Sequence, residues 1–159
     1  MDNRTDYYLL LADIQGSSVL SARQAESLMM HLLPALEREN LHHSAEISYP
    51  MEVNYGDEFA GLFTTPGPLY QIVSNLRHAL KGIARFRFVV VHGRIGYAGG
   101  SIREMGGPVF ESASHALDSL KKSRQSSRWI IGDEATDLSL TALSNAASSL
   151  IADMTDYQY

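Results

Sequence analysis

Tyr7-Tyr8-Leu9-Leu10-Leu11-Ala12 is an unbroken apolar run that ends abruptly in the polar stretch Asp13-Ile14-Gln15-Gly16-Ser17-Ser18. A run of this length without a polar face is the pattern of a buried strand, here leading into a turn. Helical spacing elsewhere supplies the cover that such a strand needs. Over Ala22–Asn40, Ala25, Leu28, Met29, Leu32, Leu33 and Leu36 recur at intervals of three and four, the signature of an amphipathic helix. Pro34 lies inside it and predicts a kink or a break. The pattern returns over Leu69–Ile83, through Leu69, Ile72, Val73, Leu76, Leu80 and Ile83.

Between the two helices, Glu46–Asn54 and Glu58–Thr64 read as strands around a tight turn, Tyr55-Gly56-Asp57. Thr65-Pro66-Gly67-Pro68 is a clear break. Arg87–Ala98 reads as the next strand, with His92-Gly93 as a point where it could split. Val109–Lys122 then predicts a helix, Arg128–Ile131 a short strand and Ala135–Ala152 a last helix. Strand, helix, hairpin, helix, strand is the split βαβ, or ferredoxin-like, arrangement. The expected fold class is therefore α/β, an α+β sandwich with a βαββαβ core followed by helix, strand and helix.

Composition narrows the function classes. The 159 residues amount to one domain, 1–159, with no internal repeat or linker, and 45% hydrophobic with 19% charged residues reads as globular. Thirteen basic residues against eighteen acidic ones give a net charge of −5, which argues against a domain that coats nucleic acid. The chain has no cysteine, so disulfides, zinc knuckles, iron–sulfur clusters and thiol catalysis are excluded. Its N-terminal apolar run is far short of the roughly 20 residues of a membrane span, and a cytoplasmic location is expected.

Chemistry gathers at two turns. In a split βαβ sheet the first strand lies beside the hairpin, so Asp13 and Asp57 fall at one edge. Two neighbouring carboxylates repel and must share a proton or hold a cation, and hard ions such as Mg²⁺ suit oxygen ligands. On spacing alone the plainer reading, Asp13 as a turn cap and Asp57 as a turn-former, is the favoured one.

The surrounding motifs add a resemblance. Leu11-Ala12-Asp13-Ile14-Gln15-Gly16-Ser17 resembles the metal-binding opening of class III nucleotide cyclases, in which a strand runs into Asp-Ile-x-Gly. Asn54-Tyr55-Gly56-Asp57-Glu58-Phe59-Ala60-Gly61-Leu62-Phe63 resembles the hairpin with their second aspartate, and also that of the GGDEF diguanylate cyclases, with Tyr55 in place of the first glycine. Arg94-Ile95-Gly96-Tyr97-Ala98-Gly99-Gly100 is similar to the strand after their second helix. The stretch from Gly107 to Leu117 resembles their substrate-contacting helix. The four motifs in this order, spanning Tyr7 to Met154, are most similar to the SatD-like family of bacterial cytoplasmic proteins, which carry a cyclase-like palm.

The resemblance implies a two-metal site for Mg²⁺ or Mn²⁺ at Asp13, Asp57, the Ile14 carbonyl and Glu58, with Asp13 and Asp57 as the catalytic pair. It implies nucleotide contacts at Gly16, Ser17, Gly56, Gly107, Glu111 and His115, a nucleoside triphosphate or cyclic nucleotide as partner, and a head-to-tail homodimer. Tyr55, Phe59, Tyr97 and Phe110 are the aromatics expected at that interface. Two departures stand out. Met51-Glu52-Val53-Asn54 lacks the purine-reading lysine of cyclases, and Glu111 and His115 stand where cyclases place Asn and Arg. A glutamate facing a triphosphate repels it, and a neutral histidine brings no fixed charge. A non-catalytic sensor, or a dimerisation module without a ligand, is the rival expectation. The tail Met154–Tyr159 resembles the start of a continuation into a helix-turn-helix, which would favour transcriptional control.

Other candidates have plainer roles. His42-His43 reads as solvated loop, Arg94 as half of a cross-sheet ion pair, and Trp129 as core or rim packing. Lys121-Lys122-Ser123-Arg124 reads as a solvated helix end. Gly93, Gly96, Gly99, Gly100, Gly106 and Gly107 match no phosphate-loop spacing and suggest hinges and turns. Gly106-Gly107-Pro108 also opens a helix, where free N–H groups favour a phosphate.

Overall fold

The computed structural model describes residues 5–153. The elements in chain order are β1 (Asp6–Ile14), α1 (Ala22–His42), β2 (Ile47–Asn54), β3 (Glu58–Phe63), α2 (Leu69–Ala79), β4 (Phe86–Arg94), α3 (Pro108–Lys121), β5 (Ser127–Ile130) and α4 (Glu134–Asp153). This is the expected order. Two short 3₁₀ turns, Ser17–Val19 and Ile102–Glu104, were not anticipated. The tail proposed to continue into a helix-turn-helix lies outside the described residues.

The sheet runs β2-β3-β1-β4-β5, with β1 antiparallel to both β3 and β4, and β5 parallel to β4. β1 is thus central and needs cover on both faces. Its side chains divide by the two-residue period of a strand. Leu10, Ala12 and Ile14 join a cluster with α1 and α2, to which Trp129 and Leu140 also belong. Tyr7, Leu9 and Leu11 join a second cluster with Val109, Ala113, Leu117 and Leu120 of α3. Fully burying a leucine such as Leu9 or Leu10 stabilises by roughly 1.5–3 kcal/mol.

α1 starts at a capping box. The Ser21 hydroxyl accepts from the Gln24 amide at 3.2 Å, and the Gln24 side chain accepts from the Ser21 amide at 2.9 Å. Pro34 neither breaks nor ends the helix, which continues to His42. It sits on the exposed side, beside exposed Leu33, where solvent can satisfy the carbonyl left without its donor. β4 is likewise unbroken at His92-Gly93 and stops at Arg94. A side chain at Gly93 would meet Val109 at 3.4 Å, so its absence lets the first turn of α3 rest on the end of β4. Among the described residues, no helix is long and apolar enough to cross a membrane.

Candidate functional site

Asp13 lies within β1 rather than in the turn after it. It pairs in register with Glu58 of β3 on one side and Arg87 of β4 on the other. Alternation puts all three on the α3 face of the sheet, in one row. The last residue of α3 closes the row from above. Lys121 Nζ stands 3.5 Å from Asp13 Oδ1 and 3.9 Å from Glu58 Oε1. Lys121 was expected to be a solvated helix end; it is instead the counter-ion of the carboxylate row. The reason is length, because 14 helical residues carry α3 across the whole sheet, about 20 Å.

Asp57 arrives from the hairpin. Tyr55 and Gly56 both adopt left-handed backbone, at φ 49° and 87°, which turns the chain within three residues. The Asp57 carbonyl accepts from the Ile14 amide at 2.8 Å, tying the hairpin to the end of β1. Its carboxylate accepts from the Ser17 hydroxyl at 2.9 Å. Asp13, Ile14, Gly16, Ser17, Gly56, Asp57 and Glu58 therefore converge at one edge.

Burial pushes the Asp13 carboxyl above its ordinary range. Lys121 opposes that shift and the Asp57 charge reinforces it. Burial likewise raises Glu58, again opposed by Lys121, with Asp13, Asp57 and Asp118 adding to the rise. Arg87, whose Nε is buried without a hydrogen-bond partner, also favours the ionised form of Asp13. The site is thus a half-dry concentration of negative charge facing two cations. Its donors are all oxygen, the set a hard divalent ion prefers, so the residues fit Mg²⁺ or Mn²⁺. Among the described residues, however, no group of three His, Cys, Asp or Glu side chains converges to hold an ion alone. The remaining positions would fall to water and ligand oxygens.

The other predicted contacts lie elsewhere. Val109 packs at Gly93, six positions along β4 from Arg87, so the start of α3 lies roughly 20 Å from Asp13. Glu111, exposed in the first turn of α3, belongs to that end rather than to the carboxylate edge, whereas His115, also exposed, lies mid-helix, about 9 Å along the axis from Lys121. Gly107 has φ 116°, and a Cβ there would come within 2.1 Å of the Gly96 nitrogen. The Gly96 amide donates to the Gly106 carbonyl at 2.7 Å. Backbone-to-backbone packing therefore already requires these glycines.

Of the expected aromatics, Tyr55 and Tyr97 are exposed and Phe110 half-buried, but Phe59 is in the core against Phe86 at 5.3 Å. Alternation turns Phe59 to the α1 side, away from Asp13. His42-His43 is not a solvated loop either. His43 caps α1, half-buried, 3.7 Å from the buried Glu39 carboxylate, which also accepts from Asn75. Arg94 pairs with Asp6 at 3.4 Å, and Trp129 is buried, as expected. The sequence reading missed the site roles of Lys121, Arg87 and Asp118. For Arg87 the alternation with Val89 and Val91 was an available signal.

No protein-family model matches the chain, and no curated protein matches it in sequence. Solved structures do. The catalytic core of a rhodopsin-guanylyl cyclase with converted specificity, in complex with ATPαS, superposes with a TM-score of 0.57 at 14% identity, covering 72% of each chain. The monomeric guanylyl cyclase domain of the RhoGC fusion protein from the aquatic fungus Blastocladiella emersonii gives 0.57 at 15%, over 72% of this chain and 75% of that one. The guanylate cyclase domain of RhGC from Catenaria anguillulae, in complex with GTP, gives 0.51 at 16%, over 72% and 73%. The chain has the fold of a nucleotidyl cyclase catalytic domain. At these identities the likeness concerns the fold alone.

Proposed function

We propose that the chain is a nucleoside triphosphate-binding domain, 1–159, whose Asp13 and Asp57 hold a divalent ion, Mg²⁺ or Mn²⁺. The observation that carries this reading is that Asp13, Asp57 and Glu58 lie at one edge of a cyclase fold, with the Asp57 charge felt at Asp13. The reaction to expect joins the ribose 3′-oxygen to the α-phosphorus, breaks the bond to the β-phosphate, and releases pyrophosphate and the hydroxyl proton. A bound divalent ion supplies positive charge that makes the 3′-hydroxyl acidic and offsets charge on the pyrophosphate. Ser17 holds the Asp57 carboxylate in place, the Ile14 carbonyl adds an oxygen, and Glu58 supports or replaces Asp57. Gly16 and Gly56 leave room for the ligand beside these groups.

Gly107 and Glu111, at the start of α3, lie too far from Asp13 to touch the same nucleotide within one chain. A second copy, packed head to tail, would bring its α3 to this edge. Purified protein incubated with Mg²⁺ or Mn²⁺ and each of the four triphosphates should release pyrophosphate with at least one of them. Release from none overturns the enzyme reading.

Lys121 favours a second reading, a non-catalytic sensor domain of SatD-like type. An ammonium already balances the carboxylates, and Glu111 is exposed where a triphosphate-binding cation is expected. Calorimetry that shows nucleotide binding without turnover would establish it.

A further inference from the structure

Negative charge accumulates at the edge where a bound triphosphate has to lie. Asp13, Asp57 and Glu58 share that edge, and the charge of Asp118 on α3 is felt at Glu58. The C-terminal end of α3 points there too, and its last carbonyls carry the negative pole of the helix dipole. A triphosphate adds several charges more, of which a divalent ion offsets only a part. Glu111, where a cation for the phosphates was expected, is exposed in the first turn of α3 instead.

Two cations face the edge, and they differ in freedom. Arg87 is held in β4, in register with Asp13, with its Nε buried. Lys121 ends α3 and reaches the carboxylates on a flexible four-carbon stem, with 37% of its side chain exposed. Its ammonium stands 3.5 Å from Asp13 Oδ1 and 3.9 Å from Glu58 Oε1, longer than close charge-assisted hydrogen bonds. These are the oxygens that suit a hard divalent ion, and like charges repel when they share them. Arg87 is fixed by the sheet, whereas the Lys121 stem can turn without moving the helix.

On the nucleotide-binding reading above, on which this step rests, we infer that Lys121 is a phosphate-binding residue. Its ammonium leaves Asp13 when a divalent ion binds there and moves onto the triphosphate that the ion carries. Phosphate oxygens that complete the ion's coordination lie beside the carboxylates that supply the rest of it, which Lys121 already reaches. The same chain thereby provides the cation that Glu111 does not. The exchange also couples the two ligands. Metal alone costs the site the Lys121–Asp13 ion pair, whereas metal with triphosphate gives the ammonium a new partner.

Binding rather than turnover is the measurement. Two titrations are compared: Mn²⁺ alone, followed by thermal shift, and inorganic tripolyphosphate at saturating Mn²⁺, followed by calorimetry. Lys121→Met should move them in opposite directions, tightening Mn²⁺ about tenfold and weakening tripolyphosphate by about tenfold or more. A purely structural lysine would not split the two in this way. Lys122→Met removes the neighbouring exposed charge and should move neither. Where Lys121→Met does not fold, Lys121→Gln gives the same comparison. Tripolyphosphate that binds Lys121→Met as tightly as wild type, while Mn²⁺ still binds, overturns the role of Lys121 and leaves the metal site standing. Equal weakening in Lys122→Met overturns it as well, by reducing the effect to general charge. Mn²⁺ that stabilises Asp57→Asn as much as wild type, or wild type that binds no tripolyphosphate, overturns the reading of the whole site and this role with it.

Discussion

The ammonium of Lys121 lies 3.5 Å from Asp13 Oδ1, and it comes from the far end of a helix rather than from a neighbouring strand. The pair joins the carboxylate row to α3 with a charge instead of an apolar contact. A divalent ion drawn to Asp13 competes with this ammonium. Lys121→Met should lower the melting temperature of metal-free protein at pH 7 by about 1–2 °C, for a contribution of about 0.5 kcal/mol after solvent screening. It should also tighten Mn²⁺ binding by about tenfold in a thermal-shift titration. An unchanged Mn²⁺ midpoint would show that Lys121 and the ion do not share the carboxylates.

Asp57→Asn keeps the hairpin's shape and its hydrogen bond to Ser17 while removing one charge. The metal-free variant should be as stable as the wild type or slightly more so, since repulsion with Asp13 is relieved. Millimolar Mg²⁺ or Mn²⁺ should raise the wild-type melting temperature by a few degrees, about 1 kcal/mol, and leave the variant unmoved. A metal response of equal size in both would place the ion elsewhere.

The carboxyls of Asp13 and Glu58 are both raised, first by burial. A carboxyl that binds its proton more tightly when folded favours the folded state at low pH. That advantage is lost as pH rises through the raised value. The window thus opens upward from the ordinary 3.8 of Asp13 and 4.5 of Glu58. Compared with Asp13→Asn/Glu58→Gln, metal-free wild type should gain relative stability as pH falls from 7 towards 5, read as the difference between denaturant midpoints. A difference independent of pH would mean that neither group titrates there.

The fold was legible because its signals are local. An unbroken apolar run at Tyr7–Ala12, three- and four-residue spacing in two helices and one tight turn define the core order. The two aspartates were legible for the same reason, since each ends a strand or sits in a turn. Lys121 was not, because its partner depends on how far α3 travels, a tertiary distance that leaves no mark in the residues around it. Phe59 was misplaced by proximity: sequence put it beside Asp57, while strand alternation turned it to the other face.

Gly107 distinguishes packing from ligand binding. Its φ of 116° and the 2.1 Å approach of a Cβ to Gly96 mean that Gly107→Ala must distort both segments. The variant should lose about 2 kcal/mol or more in denaturant unfolding, with or without nucleotide. Wild-type stability combined with weakened nucleotide binding would make phosphate contact the reason for the glycine.

Assembly is measurable directly. With triphosphate and Mn²⁺ present, light scattering should give a mass near twice 17.6 kDa. A mass near 17.6 kDa at high concentration would leave Glu111 without a nucleotide to touch.

α3 runs from Gly107, packed against Gly96, to Lys121, paired with Asp13. A helix of this length transmits displacement as a stiff rod does. Movement of its first turn that does not bend it reappears at its last residue, where an ammonium pulls away from a buried carboxylate. An event at the Glu111 end that shifted the helix as a unit would be felt as a change of charge balance at the opposite edge.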